Sequence, residues 1–358
     1  MSLQTQSVEK SVIPQIEPSV IGWQGVRCLL PPDWNLSGFS MEYEEGYIRI
    51  DAPLEKAMTV QIRWLDASKQ KQSFPSLYTY IAPKMRALLH KPDPPVTPPD
   101  LKATLDKMLK ETEKQAQKEK MLFESNLKPE QREGEEGVRR SINFSWNGIG
   151  RGQGKIYHCT HCNRVVMAQV LAIGKDRSFI PEVASQLFAT LQDHSIDGRN
   201  LWALYGLQIE IPENFRLTEQ KVFSGHLRLV FHNKGEKIIV DRWGLADTVM
   251  KRLSLEDWFR NQTQTSLKNL ELQQSALPSG HSLLFAKGPL GLLSKIQALR
   301  DSSGLPGRFA SQYAGGVWEC PETNRIYSVQ YWHRTNNASL WDDLVQSCNC
   351  HSYDQEQE

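Results

Sequence analysis

The residues most suited to chemistry lie at positions 156–164, which read Ile-Tyr-His-Cys-Thr-His-Cys-Asn-Arg. Cys159 and Cys162 have the C-x-x-C spacing of half a zinc knuckle, because a hairpin turn of that length aims both thiolates at one point. A second soft pair is present near the C-terminus, where Cys348 and Cys350 precede His351. The sequence therefore predicts a zinc site at Cys159 and Cys162, completed by the C-terminal segment if the fold brings the two together.

Two alternatives to a zinc site remain open: a redox pair, and ordinary reduced cysteines. The corresponding segment of the second half reads Cys320-Pro321-Glu322-Thr323 and lacks the second cysteine. Cys348 aligns with Leu191, which predicts a core position for that thiol. The C-x-C-H spacing is also uncommon among zinc half-sites. Zinc is the one cofactor that the sequence suggests.

Four arginines are candidate ligand-binding residues. Arg49 and Arg63 fall on the polar phase of two neighbouring predicted strands, and Arg228 and Arg242 do so in the second half. Two guanidinium groups on one sheet face can bind a carboxylate or phosphate. The alternative is a solvated or interface-buried face with ordinary salt bridges. Trp64 and Trp243 lie on the opposite phase and are predicted core residues.

The remaining polar residues favour structural roles, and no catalytic residue is predicted. His194 and His351 each follow a predicted helix, where an imidazole can cap carbonyls and complement the helix dipole. Asp241 interrupts an apolar phase and predicts a bulge or an edge strand. The glycine-rich segment 148–154 connects two predicted strands as a hairpin. We find no nucleophile elbow, phosphate-binding glycine loop, dinucleotide fingerprint or HExxH helix.

Several blocks recur in the same order in the two halves of the chain, which predicts an internal duplication. The aligned pairs are 25–31 with 206–212, 46–50 with 225–229 and onward without a gap to 63–64 with 242–243, 141–144 with 282–285, Cys159 with Cys320, 163–164 with 324–325, Gln169 with Gln330, Leu187 with Leu344 and His194 with His351. Each block is short, and their common order supports the duplication.

The duplication defines the predicted domains. Residues 1–20 form a flexible N-terminus, 21–198 the first repeat and 199–354 the second. An insertion at about 91–139 carries a long charged helix over 98–124, which starts with Thr97 as N-cap, proline at N1 and an acid at N3. This helix is either solvated and docked by its first two turns or a partner-binding arm. A loop insertion at about 301–316, rich in glycine and serine, predicts a mobile loop.

Alternating apolar and polar residues predict half-buried strands in each repeat, for example Leu207, Ile209 and Ile211. A helix is predicted at 74–89 and at 255–270, a strand at 141–146 and at 282–287, a hairpin at 163–164 and at 324–325, and a closing helix at 181–192 and at 339–347. The predicted fold is α+β, with an antiparallel sheet and helices on one face of each repeat.

Composition restricts the class of protein. The chain has 358 residues, which is enough for two cores, and it is 39% hydrophobic and 23% charged. Lys and Arg total 42 and Asp and Glu total 41, so no excess positive charge attracts nucleic acid. No basic leader or membrane-spanning stretch is present, and six cysteines are too few for a disulfide framework. We expect a cytoplasmic protein that binds neither nucleic acid nor a membrane.

The sequence favours a non-catalytic soluble binding or assembly protein built from two diverged copies of one domain, with a protein partner. The first alternative is a zinc-supported binding protein that uses Cys159 and Cys162. The second is an enzyme whose site lies in the groove between the repeats. Features that occur once, the cysteine knuckle and the charged helix, are expected to carry the specific task.

Overall fold

The structure is a computed structural model, and it describes residues 18–53, 55, 57–69, 98–133, 139–173, 179–263, 270–291, 310–334 and 337–351. The predicted helix at 74–89, most of the predicted flexible N-terminus and residues 301–309 of the predicted mobile loop lie outside these ranges. A strand begins at Ser19, two residues before the predicted start of the first repeat. No helix among the described residues is long and apolar enough to span a membrane.

Short strands make up most of the described chain. In the first half they are β1 (Ser19–Trp23), β2 (Val26–Leu30), β3 (Asn35–Phe39), β4 (Glu45–Asp51), β5 (Met58–Asp66), β6 (Glu124–Leu127), β7 (Gln131–Glu133), β8 (Arg139–Asn147), β9 (Arg151–Cys159) and β10 (Arg164–Ala172). In the second half they are β11 (Arg199–Leu204), β12 (Leu207–Pro212), β13 (Arg216–Phe223), β14 (His226–Asn233), β15 (Glu236–Gly244), β16 (Leu272–Ala276), β17 (Ser282–Pro289), β18 (Gln312–Cys320) and β19 (Arg325–His333).

The described α-helices are fewer. They are α1 (Leu101–Lys118), α2 (Ile180–Thr190), α3 (Ala246–Met250), α4 (Leu255–Gln262) and α5 (Leu340–Gln346). A 3-10 turn, Ala67–Lys69, follows β5. Antiparallel sheets with a few helices confirm the predicted α+β class, and the strands predicted at 141–146 and 282–287 are confirmed as parts of β8 and β17.

The described strands form three antiparallel sheets. The first has the order β3-β4-β5-β10-β9-β8-β6, with β7 also paired to β8, and the second has the order β13-β14-β15-β19-β18-β17-β16. The third sheet, β12-β11-β1-β2, takes one hairpin from each half of the chain. The two large sheets thus have matching strand orders, and the small sheet joins them.

Helices cover both faces of the large sheets, and in the second sheet this contradicts the prediction that the helices of a repeat lie on one face. Buried residues of α2 pack on the face of β10 that carries Val166 and Ala168. The helix α1 packs on the opposite face, against Val165 and Ile156. In the second sheet, α5 and α4 likewise contact opposite faces. The reason is visible in the central strands, whose successive residues are apolar on both phases.

The largest buried cluster draws residues from both halves of the chain, whereas the length of the chain predicts two separate cores. Trp23 of β1 contacts Trp202 of β11 at a ring-centroid distance of 4.9 Å, and Trp202 contacts Phe231 of β14 at 4.9 Å. A smaller cluster lies on the outer face of each large sheet. The hydrophobic effect therefore links the two halves through the shared sheet.

The charged helix α1 begins and ends inside its predicted range of 98–124. Its N-cap is Asp100, whose carboxylate accepts a hydrogen bond from the Ala103 amide at 2.9 Å, so the prediction of Thr97 as N-cap is wrong. The helix ends at Lys118 because Lys120 adopts a left-handed conformation with φ of 57°. The Met121 amide then donates to the Ala116 carbonyl, which closes a Schellman motif without glycine.

Two glycine-rich segments are more regular than predicted. Residues 312–316 of the predicted mobile loop belong to β18, where a Cβ on Gly315 would lie 2.0 Å from the Tyr313 hydroxyl. Residues 151–154 of the predicted hairpin connection belong to β9, where a Cβ on Gly154 would lie 2.2 Å from the Phe144 ring. These glycines make room for aromatic rings, so their sequence signal resembles that of a loop.

The helix α4 stops short of its predicted end at residue 270. Ser254 caps its first turn by accepting a hydrogen bond from the Asp257 amide, and the chain becomes extended at Thr263. The strand β16 has begun by Leu272.

The registers of the two halves differ from the gapless alignment of 46–64 with 225–243. In the first sheet Gly46 faces Trp64, which is 2% exposed and belongs to the shared core. In the second sheet His226 faces Trp243, and their rings stack at 3.6 Å on the outer face. Trp243 is therefore only half-buried, and its prediction as a core equivalent of Trp64 is wrong. A shift of one residue in strand register moves a side chain to the other face.

The contact between Gly46 and Trp64 gives a test of this difference. A Cβ on Gly46 would lie 1.9 Å from the indole ring, whereas one on Gly225 would meet nothing within 4 Å. We expect Gly46→Ala to destabilise the protein by about 1–3 kcal/mol, because the overpacked ring must move, and Gly225→Ala to have little effect. Urea unfolding of both variants measures this, and equal losses would contradict the described register.

Candidate metal centre

The hairpin of β9 and β10 positions the two cysteines of the predicted knuckle. Cys159 is the last residue of β9 and faces Arg164 across the hairpin. Cys162 lies in the connecting turn, which Asn163 completes with a left-handed φ of 54°. The Asn163 carbonyl accepts a hydrogen bond from the Ala67 amide at 2.8 Å, which holds the turn against the end of β5. The predicted hairpin at 163–164 is confirmed.

The chain after α2 brings two further ligand types to this turn. The Arg27 amide donates to the Gln192 carbonyl at 3.0 Å, and the Gln192 amide donates back at 2.9 Å. One guanidinium nitrogen of Arg164 donates to the Asp193 carbonyl at 2.8 Å. These bonds fix the segment that carries Asp193 and His194 directly beside the cysteines.

The four side chains form a compact cluster. The ligand atoms of Cys159, Cys162, Asp193 and His194 all lie within 4.8 Å of one another. The Cys162 thiol donates to Asp193 Oδ2 at 3.0 Å, and Cys159 Sγ lies 3.8 Å from His194 Nδ1. Ligand atoms around a tetrahedral zinc ion are roughly 3.3–3.8 Å apart, and thiolate, imidazole and carboxylate are its usual ligands. The cluster therefore fits a zinc ion with little movement.

The pKa values of the two thiols shift in opposite directions. The hydrogen bond from Cys162 lowers the pKa of Cys159 against the opposing effect of burial, and the same bond raises the pKa of Cys162. The thiolate is the form that binds a metal. A metal ion bound here would displace any remaining thiol proton.

Arg139 provides the main positive charge next to the cluster. Its guanidinium lies 2.7 Å from Asp193 Oδ1 and 5.0 Å from the Tyr157 ring centroid. Burial acts to raise the pKa of the Asp193 carboxyl, but the hydrogen bond from Cys162 and the charge of Arg139 outweigh it and lower the pKa. Arg139 thus holds Oδ1, and Oδ2, which accepts from the Cys162 thiol, would face a metal once that thiol had lost its proton.

Cys348, Cys350 and His351 do not complete this cluster, so the fold does not bring the two soft pairs together. Cys348 is 5% exposed within the shared core, as its alignment with Leu191 predicts. Cys350 and His351 lie beside Cys320 and His281 instead. Each closing segment pairs with a strand of its own half, because backbone hydrogen bonds join it to β2 or β12 at the edges of the small sheet.

Sequence reasoning missed Asp193, and it assigned His194 and His351 to helix capping. In the structure both rings contact cysteine sulfur atoms, a role that the capping assignment does not include. A signal was available: a histidine follows the closing helix in each half, and a cysteine ends the strand before the hairpin in each half. The joint recurrence of the two residue types indicates a shared site better than either does alone.

The four candidate arginines have different environments. Arg49 and Arg63 share one face of the first sheet, as predicted, and Arg49 contacts Asp51 at 2.9 Å. Arg228 faces Asp241, but Arg242 faces Leu227 and therefore lies on the other face. The prediction that the second pair shares a face is wrong, for the same reason of register that applies to Trp243. Arg242 donates to the Tyr205 and Ser224 carbonyls.

The sequence predicts that Asp241 marks a bulge or an edge strand. This prediction is wrong. The strand of Asp241, β15, is paired in continuous register with β14 and β19. The carboxylate is 1% exposed and accepts hydrogen bonds from Arg228 Nε at 2.7 Å and His226 Nε2 at 2.7 Å. These two donors satisfy the buried carboxylate, which is why a charged residue can interrupt the apolar phase of β15.

Known proteins offer little likeness to this chain. No protein-family model matches the sequence, and no curated protein matches it. Among solved structures, one match is the solution structure of cyanobacterial PsbP (CyanoP) from Synechocystis sp. PCC 6803, with 9% identity, 52% of this chain and 98% of that chain covered, and a TM-score of 0.31. A likeness of this size supports no inference about function.

The buried pair of Asp241 and Arg228 gives a second test. Asp241→Asn removes the negative charge and leaves the Arg228 cation, whose side chain is 16% exposed, without compensation. We expect a loss of about 3 kcal/mol in the free energy of unfolding. The exposed pair Arg49–Asp51 is the control, and Asp51→Asn should cost less than about 1 kcal/mol. Urea unfolding distinguishes the two, and similar losses would show that Asp241 is not a structural charge.

Proposed function

We propose that this protein is a non-catalytic, zinc-supported binding protein, and that Cys159, Cys162, Asp193 and His194 hold the ion. The observation that carries the proposal is the convergence of these four side chains, with their ligand atoms within 4.8 Å. They come from a hairpin turn and from a segment about thirty residues later in the sequence. A metal ion between them would tie the end of the unit to its sheet, as structural zinc does in small domains.

The proposal includes a tandem duplication, with a first repeat at 21–198 and a second at 199–354. Matching strand orders in the two large sheets support it. Matching side-chain anchors also support it: the Leu29 amide donates to Thr190 Oγ1 at 3.0 Å, and the Glu210 amide donates to Ser347 Oγ at 3.2 Å. In both cases a hydroxyl at the end of the closing helix accepts from the second strand of the unit.

The proposed compartment is the cytoplasm, because a reducing environment keeps thiolates available as metal ligands. All six cysteines are free in the structure, which is compatible with this proposal.

Metal content tests the zinc proposal. We expect purified full-length protein to contain zinc, and Cys159→Ser/Cys162→Ser to hold one equivalent less per chain, measured by elemental analysis. Cys28→Ala is the matched control, because Cys28 is a buried thiol outside the cluster, with a pKa that burial raises to about 12. Equal zinc in the wild type and the double variant would refute the proposed site.

The binding role is proposed to involve a protein partner that contacts α1. This helix buries Leu101, Leu105 and Leu109 on the first sheet. Its opposite face carries exposed charges, including Lys110 and Lys114. A charged face on a rigidly docked helix suits an interaction governed by electrostatic complementarity.

Charge reversal tests this surface. We expect Lys102→Glu/Lys110→Glu/Lys114→Glu to lose partners that the wild-type protein retains in affinity purification. The control reverses as many charges on the second unit, with Lys234→Glu/Lys251→Glu/Arg252→Glu. An identical set of partners for all three proteins would remove α1 from the proposal.

An enzyme with a site between the repeats is the second candidate function. A cavity of about 260 Å³ lies between the halves and is lined by residues of both, including Arg27, His194, Arg199 and Glu210. Ligand pockets commonly have volumes of about 300–1,000 Å³, so this cavity suits at most a small ligand. The small volume of the cavity therefore favours the zinc-supported binding protein over the enzyme as the proposed function.

A further inference from the structure

A second cluster of cysteines and histidines lies where the hairpin of β18 and β19 meets the end of the described chain. Cys320 is the last residue of β18 and faces Arg325 across the hairpin. The Gln208 amide donates to the Asn349 carbonyl at 3.1 Å, and the Asn349 amide donates back at 2.9 Å. This pairing fixes the segment that carries Cys350 and His351 beside Cys320.

The donor atoms of this cluster are close enough to share one ion. Those of His281, Cys320, Cys350 and His351 all lie within 4.8 Å of one another. His351 Nδ1 lies 3.3 Å from Cys320 Sγ and 3.3 Å from Cys350 Sγ. These separations match the edges of a tetrahedral zinc site, which are roughly 3.3–3.8 Å.

His281 supplies the independent sign of a missing ligand. Its side chain is 9% exposed, and its Nε2 atom is buried without a hydrogen-bond partner among the residues that the structure describes. The nearest carboxylate, that of Glu322, lies 3.8 Å away. A buried polar atom without a partner is costly, and a metal ion would use the lone pair of the ring nitrogen.

The second cluster and the first lie at equivalent positions of the two large sheets. Cys320 corresponds to Cys159 and His351 to His194, because each cysteine ends the strand before the hairpin and each histidine follows a paired closing segment. Arg139 faces Cys159, and extension of the Leu284 to Val317 register places His281 opposite Cys320.

Three positions distinguish the clusters, because the second also lacks a cysteine at the position of Cys162 in the hairpin turn. Where the first has the ion pair of Arg139 and Asp193, the second has His281 and Cys350. A cation and its carboxylate are thereby replaced by two metal-ligating side chains. The second cluster is a Cys₂His₂ set, which is a common ligand set of structural zinc.

We infer that His281, Cys320, Cys350 and His351 form a second zinc site, separate from the one proposed at Cys159 and Cys162. The inference uses different residues and does not require the first site to bind metal. The ion would join the turn before β17, the end of β18 and the C-terminal segment after α5. The ligands are two thiolates and two imidazoles, so the site suits zinc or another divalent ion with similar ligand preferences.

Metal titration of full-length variants tests the inference. The protein is stripped with a chelator and titrated with zinc, and with cobalt to report thiolate ligation through the charge-transfer band in the near ultraviolet. We expect Cys159→Ser/Cys162→Ser to bind one zinc per chain and to show the cobalt–thiolate band. We expect Cys320→Ser/Cys350→Ser to lose one equivalent relative to the wild type. Cys348→Ala, which removes the neighbouring core thiol, should bind as the wild type does.

A further variant separates the loss of a ligand from a folding defect. His281→Ala keeps both thiols and should weaken zinc binding at this site at least about tenfold, measured by competition with a chromophoric chelator. The inference is overturned if Cys159→Ser/Cys162→Ser binds no zinc. It is also overturned if His281→Ala binds zinc as tightly as the protein without that substitution. Failure of the first site has a different signature, which is equal zinc in the wild type and Cys159→Ser/Cys162→Ser.

Discussion

The pairing of each closing segment with the second strand of its unit is the constraint on which both candidate metal sites depend. Two reciprocal backbone hydrogen bonds join Arg27 to Gln192, and two join Gln208 to Asn349. Each pairing places the next two residues against a hairpin turn that is otherwise distant in sequence. Without it, Asp193 and His194 would follow their helix into solvent, and the cysteines would remain half a site. A few main-chain bonds, supported by the guanidinium of Arg164, therefore bring the ligands together.

The sheets make this pairing reliable. The central strands are apolar on both phases, so helices cover both faces and leave the hairpin ends as the exposed polar rims. Cys159 at the end of β9 is paired with both β8 and β10, and Cys320 at the end of β18 is paired with β19. The ligands that come from the strands are thus preorganised, and those from the closing segments are held by backbone bonds. A metal ion bound there would join elements that the fold has already placed in contact.

Local patterns in the sequence predicted the α+β class, the hairpin at 163–164 and the strands at 141–146 and 282–287, because alternation and turn residues act over a few positions. Register was harder to predict. Arg242 and Trp243 lie on faces opposite to those expected, since a one-residue shift leaves the apolar pattern almost unchanged. The glycine-rich sequence of β18 resembled a loop, because the sequence alone does not show that Gly315 lies against the Tyr313 ring. His281 was missed because only strand pairing places it opposite Cys320.

The contact of β1 with β11 has a consequence for how the two sites came to differ. Gly22 faces Ala203, and each lies two residues before a turn with positive φ, at Gln24 and at Tyr205. Under the proposed duplication these are equivalent residues, so the contact has the self-complementary form of a two-fold dimer interface. In a dimer of identical subunits, any mutation at a ligand position appears twice. Under the proposed duplication, two copies encoded in one chain can change separately, so the positions of Arg139 and His281 need not carry the same residue.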